Sequence, residues 1–353
     1  FGEWPVAFRS YLVSVIIMLF VMKLPPLIFW VLYLPFRGIG RIMRLRKGES
    51  IPPPALWWFW IGMAQSIVIM AVMLAGMLVW QHQLQVKTVT ISSGNLPGRF
   101  DGYRIIHISD IHLGSNTSRR FLEKMADSVM AVRPDVVLFT GDMFNYRAEE
   151  GEGFEPLLQR ISAPDGVYAV TGNHDYGDYV SWEDPKEKEA NFRMAVRWFQ
   201  KIGWHLLMNQ HRIIHRGEDS LALIGVENWG ATKRFQRKGD IVAAAKGTEG
   251  VPFTILMTHD PSHWDSVVTR KHPEIDLTLC GHTHGGQIGY RSENRSWGPS
   301  SWIYPHWMGL YVHPGTDGGQ FLYVNTGIGT VGYSGRIGIK PEITLIILRK
   351  KTG

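Results

Sequence analysis

Five short polar blocks in the C-terminal two-thirds of the chain each follow an apolar run typical of a buried strand. The blocks are Asp110-Ile111-His112, Gly141-Asp142, Gly172-Asn173-His174-Asp175, Thr258-His259 and Gly281-His282-Thr283-His284. Loops at the carboxyl ends of sheet strands are where α/β proteins build their sites. We therefore expect a fold that brings five strand ends together and gathers these side chains into one cluster.

The polar side chains of these blocks are candidate ligands for divalent metal. The candidates are Asp110, His112, Asp142, Asn173, His259, His282 and His284. They are too many for one ion and about right for two ions that share a bridging ligand. Because a carboxylate can bridge and an imidazole cannot, the shared ligand should be an aspartate. The donor set favours Mn, Fe or Zn over Ca or Mg, and we predict two divalent ions with Mn as first choice.

Each block taken alone is a weak signal. An Asp-x-His pair is usually part of a solvated surface, and Gly-Asp is a common turn. Five ligand blocks in this order at strand ends are far less common, and we put their chance assembly at roughly one in a hundred or below.

The order of the blocks resembles the signature of the calcineurin-like metallophosphoesterase superfamily, over about residues 86–353. Residues 281–287 (GHTHGGQ) are a specific version of its last block. The resemblance implies a first metal on Asp110, His112 and His284 and a second on Asn173, His259 and His282. It implies that Asp142 bridges them and that a metal-bridging hydroxide attacks phosphorus.

The resemblance also implies catalytic roles for His174 and Asp175. His174 would contact the phosphoryl group or protonate the leaving oxygen, with Asp175 orienting its ring. An imidazole with a carboxylate partner is a usual general acid near neutral pH.

Alternating strands and helices followed by successive strands predict a mixed α/β sandwich after residue 85. The resemblance narrows this α/β fold class to a two-sheet αββα sandwich, preceded by a helical membrane region. Cys280, the single cysteine, excludes an internal disulfide and is predicted to be a buried thiol.

The first 85 residues have the composition of a membrane region. Leu56–Trp80 has no charged residue and tryptophans near both ends, so we predict a transmembrane helix at residues 56–80. Tyr11–Phe36 is apolar apart from Lys23, but Pro25-Pro26 interrupts it, which predicts a kinked or re-entrant segment. The sequence begins with Phe1 rather than Met, which leaves an upstream segment open.

A basic loop is predicted at residues 37–55, between the two apolar segments. Arg37–Lys47 carries five basic residues and no acid, in a chain of net charge +6. Its position favours a membrane-flanking role, and we predict no nucleic-acid partner. By the positive-inside rule this loop is cytoplasmic, so the catalytic domain at residues 86–353 faces the other side of a bacterial plasma membrane. An amphipathic helix along the surface at Phe36–Leu45 is an alternative.

Aromatic and basic residues near the predicted metal site are candidate substrate contacts. Trp297 and Trp302 lie in an aromatic-rich loop after the last block and could seat on a bilayer; ordinary loop packing is the alternative. Arg234 and Arg336 are candidate cations for substrate phosphates, although a solvated surface charge is the commoner role of a single arginine.

These observations predict a membrane-anchored dinuclear phosphohydrolase. Similarity to the bacterial membrane-anchored branch of the superfamily, which includes enzymes that cleave UDP-diacylglucosamine, implies a lipid-linked phosphodiester or pyrophosphate. A catalytic domain outside the cytoplasm could not reach a cytoplasmic UDP-lipid. Either the predicted topology or that substrate is therefore wrong. Two alternatives stay open: a tethered enzyme for soluble nucleotides or other diesters, and a metal-stabilised scaffold without turnover. No protein partner follows from the sequence.

Overall fold

The protein is described by a computed structural model that covers residues 6–54, 56–115, 118–230, 237–292, 295–314 and 319–351. The helices are α1 Val6–Val21, α2 Leu24–Arg46, α3 Trp57–Leu78, α4 Arg119–Ala131, α5 Glu155–Leu158, α6 Pro185–Lys201, α7 Ile241–Ala245 and α8 Thr269–Lys271. The strands are β1 Gln85–Ser93, β2 Arg104–Ile108, β3 Val136–Phe139, β4 Val167–Ala169, β5 His205–Leu206, β6 Gln210–Arg216, β7 Asp219–Gly225, β8 Thr254–Met257, β9 Leu277–Cys280, β10 Tyr290–Arg291, β11 Ser296–Trp297, β12 Gly309–His313, β13 Gln320–Val324 and β14 Glu342–Lys350.

Two six-stranded sheets form the body of the domain. The first has the strand order β1-β14-β2-β3-β4-β5 and the second β12-β13-β9-β8-β7-β6, while β10 and β11 form a separate hairpin. Strands β2, β3 and β4 are parallel to one another, as are β8 and β9. The five blocks therefore follow the carboxyl ends of β2, β3 and β4 in one sheet and β8 and β9 in the other.

The sheets pack face to face with helices outside, and this confirms the predicted two-sheet α/β sandwich. The core between the sheets contains Ile105 and Leu138 from the first sheet and Ile255 and Leu279 from the second. Strands buried on both faces must be apolar throughout, which explains the uninterrupted runs that precede the blocks.

Helix α4 illustrates how the outer layers form. The Ser118 hydroxyl caps its first turn by accepting the Phe121 N–H at 3.3 Å. The helix then buries one face, which includes Leu122, Met125 and Val129, against the first sheet. A side-chain cap followed by one apolar face is the usual pattern of a surface helix.

The N-terminal region forms a helical hairpin in which α1 and α2 run antiparallel to α3. Pro26 packs against Gly62, and the rings of Phe29 and Trp58 lie 6.0 Å apart. Residues Val6–Arg46 and Trp57–His82 are long and apolar enough to cross a membrane, by length and composition. The division at residues 85 and 86 into a membrane region and a catalytic domain stays a prediction.

The proline pair lies at the start of a helix rather than at a kink within one. Helix α1 ends at Val21, and Pro25 and Pro26 are the second and third residues of α2, which begins at Leu24. Proline is tolerated there because the first N–H groups of a helix have no intrahelical acceptor. The interruption therefore falls at Met22-Lys23, just before the prolines.

The prediction of a loop from residue 37 is wrong, because α2 continues to Arg46. Arginine, leucine and methionine are good helix formers, and they carry the helix through the basic segment despite Pro35. The connection to α3 is shorter than predicted and follows Lys47. Because the hairpin is antiparallel, the basic residues lie at its far end, away from the sandwich.

The near end of the hairpin docks on a glycine-rich loop at residues 326–338, which we call the Gly loop. The N–H of Arg336 donates to the Gly76 carbonyl at 3.2 Å, and the N–H of Ser334 donates to the Ser14 hydroxyl at 2.7 Å. Met18 and Met73 pack on the ring of Tyr333. The hairpin and the sandwich therefore form one packed unit at this loop.

Candidate metal centre

The first group of candidate ligands consists of Asp110, His112 and His284, all buried. The Nε2 atoms of His112 and His284 lie 3.2 Å apart, and Oδ1 of Asp110 lies 3.3 Å from His284 Nε2. Imidazole nitrogens and a carboxylate oxygen at these separations can all face one cation. These are the residues that the resemblance assigns to a first metal.

The second group consists of Asp142, His259 and His282. His259 Nε2 lies 3.1 Å from Asp142 Oδ2 and 3.2 Å from His282 Nδ1. Asn173 directly precedes His174, whose backbone N–H donates to Asp142 Oδ1 at 2.9 Å, and Oδ1 of Asn173 is buried with no hydrogen-bond partner in the described part of the chain. A buried amide oxygen without a donor costs stability unless a cation or water meets it, so the set fits a divalent ion.

Asp142 lies between the two groups. Its Oδ2 is 3.7 Å from His112 Nε2 in the first group and 3.1 Å from His259 Nε2 in the second. Its Oδ1 accepts the backbone N–H of His174 at 2.9 Å, which fixes the carboxylate plane. This position is the one that a bridging carboxylate requires.

The backbone at the candidate ligands is strained. Asp110, His112, Asp142, His282 and His284 all have φ between 49° and 71°, in the left-handed region. Non-glycine residues rarely adopt this conformation, and it persists where the surrounding structure enforces it, often at functional sites. Close packing enforces it here, since a Cβ at Gly281 would overlap Ser109 and Asp110.

The electrostatics of the cluster require positive charge. Burial disfavours ionisation of Asp110, but the neighbouring His284 and His112 hold the pKa of its carboxyl below its usual range. Burial also opposes a charged His259, yet the Asp142 carboxylate raises the pKa of that imidazole to about 10. The two buried carboxylates thus favour positive charge beside them, and divalent cations would supply it.

One histidine tautomer is set by a backbone contact outside the cluster. His259 Nδ1 donates to the Thr140 carbonyl at 2.8 Å, which leaves Nε2 as the atom free to bind metal. Such a second contact orients a ligating imidazole and raises its basicity.

Asp175 does not orient the ring of His174, so that part of the prediction is wrong. The Asp175 carboxylate accepts the backbone N–H groups of Asp142, Met143, Phe144 and Gly172 at 2.8–3.2 Å. Asp175 therefore links the loops after β3 and β4, because its carboxylate oxygens accept backbone N–H groups that have no partner in a β-sheet.

His174 is instead oriented by a carbonyl and an aromatic ring. Its Nδ1 donates to the Asn145 carbonyl at 2.7 Å, and its ring stacks on Tyr179 with 3.9 Å between centroids. The ring also meets His112 edge-on at 4.8 Å, so His174 borders the first group of ligands. Burial lowers the pKa of His174 to about 4.

Arg336 has a structural position rather than the predicted contact with substrate. It is completely buried, and its guanidinium donates to the carbonyls of Thr326, Gly327 and Gly329 at 2.6–3.1 Å. A planar group with five donors can hold several carbonyls of a turning loop at once. Arg336 thereby fixes the Gly loop beside Asp110, and the prediction of substrate binding is wrong.

The two tryptophans predicted as substrate contacts lie at the surface, whereas the candidate ligands are buried or half-buried. Trp297 and Trp302 are 55% and 75% exposed and meet edge-on near the β10–β11 hairpin, so a bilayer or substrate role for them stays a prediction. Arg234 lies outside the described residues.

Two further residues lie next to the cluster although neither belongs to one of the five polar blocks. The Tyr304 hydroxyl lies 3.2 Å from His282 Nε2, and the Tyr179 ring covers His174. Both lie in aromatic-rich segments that follow a ligand block, Tyr179 after the third block and Tyr304 after the fifth. Spacing could not identify which of the many tyrosines and tryptophans in those loops would face the metal cluster.

Comparison with known proteins places these residues in a family context. The family profile "Calcineurin-like phosphoesterase" matches residues 103–286, just over half of the chain. An uncharacterized metallophosphoesterase of Bacillus subtilis, YkuE, is 28% identical over 272 residues, covering 76% of this chain and 86% of its own. The transmembrane protein with metallophosphoesterase domain of Danio rerio is 30% identical over 275 residues, and this chain spans 57% of its length.

A relative with a named activity and a solved structure complete the comparison. The UDP-2,3-diacylglucosamine pyrophosphatase LpxG of Chlamydia trachomatis is 27% identical over 295 residues, covering 71% of this chain and 87% of its own. The structure of the NAD nucleotidase of Haemophilus influenzae has a TM-score of 0.44 at 16% identity, over 66% of this chain and 45% of that one.

Proposed function

Because the chain belongs to the calcineurin-like phosphoesterase family, we propose that it is a membrane-anchored, dinuclear metal-dependent phosphohydrolase. Its substrate is a phosphodiester or pyrophosphate, and the substrate is linked to a lipid. The observation that carries the dinuclear part is the position of Asp142, whose Oδ2 lies between His112 of one ligand group and His259 of the other.

Asp110, His112 and His284 would hold one ion, and Asn173, His259 and His282 the other, with Asp142 shared. Two divalent ions in such a site activate water and neutralise charge that develops on the phosphoryl oxygens. The chain itself supplies buried carboxylates and a rigid frame, because Asp175 and Arg336 fix the loops that carry the ligands.

His174 acts on the leaving oxygen. Since its Nδ1 donates to the Asn145 carbonyl, Nε2 is the atom left to hydrogen-bond a phosphoryl or leaving-group oxygen. Stacking on Tyr179 holds the ring in that orientation. Because burial lowers the pKa of this imidazole to about 4, Nε2 would take up a proton together with the anionic substrate, and the imidazolium would then give that proton to the departing ester oxygen.

The lipid link is supported by the position of the hairpin. Its near end docks on the Gly loop, whose Gly327 and Gly329 approach Asp110 and His112. Two apolar helices long enough to cross a bilayer therefore end directly beside the ligand cluster. A related protein named as a pyrophosphatase for UDP-2,3-diacylglucosamine supports a lipid-linked phosphoester as the substrate class, although a cytoplasmic UDP-lipid itself is excluded if the catalytic domain is extracytoplasmic.

Hydrolysis by the purified full chain in detergent with Mn²⁺ tests this proposal. We expect turnover of bis(p-nitrophenyl) phosphate, loss of turnover on chelation with EDTA, and recovery when Mn²⁺ is restored. A panel of lipid-linked and soluble phosphoesters then identifies the preferred class. Metal-loaded protein that hydrolyses no phosphoester would favour a scaffold, and equal rates on soluble and lipid substrates would favour a tethered enzyme for soluble diesters.

We further propose that the catalytic domain is extracytoplasmic in a bacterial plasma membrane. The arginines at the end of α2 lie at the far end of the hairpin from the sandwich, and basic residues are retained on the cytoplasmic side.

Cysteine labelling tests this topology, because the single native cysteine, Cys280, is buried and gives a low background. In spheroplasts, we expect an impermeant maleimide to label Val242→Cys in the exposed part of α7, but Ser50→Cys only after permeabilisation. The reverse pattern would place the domain in the cytoplasm.

A further inference from the structure

A cavity of about 260 Å³ adjoins His174 and is closed on one side by the N-terminal helix α1. His174, Asn145 and Tyr179 line it from the sandwich, and Arg9 and Val13 line it from α1. An apolar helix thus contributes directly to the space next to the candidate general acid. Because this space lies on the His174 side of the metal cluster, it is where a leaving group would lie.

The docking of α1 is specific. The Ser14 hydroxyl is completely buried, accepts the N–H of Ser334 at 2.7 Å and donates to the Ser10 carbonyl at 2.7 Å. Met18, one turn further, packs on Tyr333. The Gly loop therefore holds α1 in a fixed position relative to the ligand cluster, and the cavity wall is a built feature.

Arg9 brings a positive charge to this wall. Its guanidinium lies over the Tyr146 ring at 5.1 Å, and its Nε is buried without a hydrogen-bond partner in the described structure. A neutral ring does not cancel the charge, and an unpaired buried donor costs free energy. An anion in the cavity would pair with the charge of the guanidinium.

An apolar stripe continues from Arg9 along α1 away from the cavity. Arg9, Val13, Ile16 and Phe20 are spaced four, three and four residues apart, so they lie on one helix face. Ile16 and Phe20 are 45% and 69% exposed. A cation followed by an exposed apolar stripe matches a molecule with an anionic head and a hydrocarbon tail.

We propose that this cavity binds the anionic leaving group of a lipid-linked phosphoester, with Arg9 pairing its phosphate and the Val13–Phe20 face of α1 lying along its hydrocarbon part. This inference rests on the proposed function and deepens it, because it makes an apolar helix a wall of the substrate site. Arg9 is thereby a specificity-determining residue that acts on the leaving group rather than on the phosphoryl group under attack.

Inhibition by a leaving-group analogue tests the site. The full chain with Mn²⁺ in detergent hydrolyses bis(p-nitrophenyl) phosphate while phosphatidic acid, a lipid phosphate, or glycerol 3-phosphate, its water-soluble head, is added. We expect Arg9→Gln to weaken inhibition by phosphatidic acid roughly 10- to 100-fold, the usual effect of losing a charge-assisted hydrogen bond. The KM for the chromogenic diester is measured on the same variant, and a rise in that KM as large as the loss of inhibition would overturn a specific role of Arg9 in binding the leaving group.

Two further variants separate lipid from soluble phosphate. Ile16→Gln should weaken inhibition by phosphatidic acid about 3- to 10-fold and leave glycerol 3-phosphate unaffected, because it alters only the apolar stripe. Arg41→Gln removes the same charge at the far end of α2 and should change neither. Equal inhibition by both phosphates, with no effect of Ile16→Gln, would assign the cavity to a soluble phosphoester and overturn the lipid part.

Other outcomes overturn the role of Arg9. Unchanged inhibition of Arg9→Gln, or an equal loss of turnover without inhibitor, would make the residue structural only. If the wild type hydrolyses nothing, the proposed function fails. Binding of phosphatidic acid, measured by microscale thermophoresis on wild type and Arg9→Gln, then tests the site by itself, and equal affinities would overturn it.

Discussion

Replacing Asp142 with alanine is expected to lower kcat/KM on a phosphodiester by at least about 1000-fold and to reduce the metal content of the chain. Oδ2 of Asp142 lies within 3.7 Å of an imidazole nitrogen in each of the two ligand groups. Its removal takes a ligand from each ion, and a bound metal contributes several kcal/mol of transition-state stabilisation. Metal content is measured by plasma mass spectrometry after gel filtration in Mn²⁺-containing buffer.

Asp127→Ala is a matched control, because this carboxylate lies on the exposed side of α4 and pairs only with Arg160 among the residues described. It should leave both metal content and rate unchanged. A two-metal, fully active Asp142→Ala variant would show that Asp142 does not bridge. Unfolding of the variant is monitored by circular dichroism, so that loss of metal is not confused with loss of fold.

Replacing His174 with alanine is expected to lower kcat by about 100- to 10,000-fold while both metals stay bound, since general acid catalysis contributes on that scale. The imidazole is buried, and it is held by the Asn145 carbonyl rather than by either ligand group. Metal content and kcat are measured on the same preparation.

A comparison of substrates with different leaving groups provides a second test of the His174→Ala variant. Protonation matters more when the departing oxygen is strongly basic, so the loss of kcat should be larger for an alkyl ester than for a p-nitrophenyl ester. Loss of one metal in His174→Ala would make the residue a ligand instead. Equal losses on both esters would contradict its role as a general acid.

The strand ends and the fold class could be predicted from the sequence because they depend on local patterns. Continuous apolar runs indicate strands buried on both faces, and the carboxyl ends of such strands meet in α/β proteins. The ligand groups around Asp110 and Asp142 assemble for that reason. Order and spacing along the chain were sufficient to predict that these candidate ligands lie close together, since each of them lies at or just after a strand end.

The contacts that buried side chains make with the backbone of loops could not be predicted. Asp175 binds backbone N–H groups of the loop after β3, and Arg336 binds carbonyls within the Gly loop. Backbone groups look alike in any sequence, so nothing in the residue types identifies which loop will present them. For the same reason the sequence could not show that Asn145, and not Asp175, orients His174.

The role of α1 is the largest difference between expectation and structure. Its apolar composition predicts membrane insertion but carries no information about which part of the sandwich it will meet. The Ser14–Ser334 hydrogen bond and the packing of Met18 on Tyr333 join residues more than 300 positions apart. Only the folded structure places Arg9 at the cavity beside His174.

Anomalous diffraction from crystals grown with Mn²⁺ tests the central claim most directly, because it locates the ions without reference to activity. The account predicts two peaks about 3.5–4 Å apart, as in two-metal sites generally. One should lie among Asp110, His112 and His284, and the other among Asn173, His259 and His282, with Asp142 in contact with both. A single peak, or two peaks of which only one contacts Asp142, would contradict a dinuclear centre bridged by this residue.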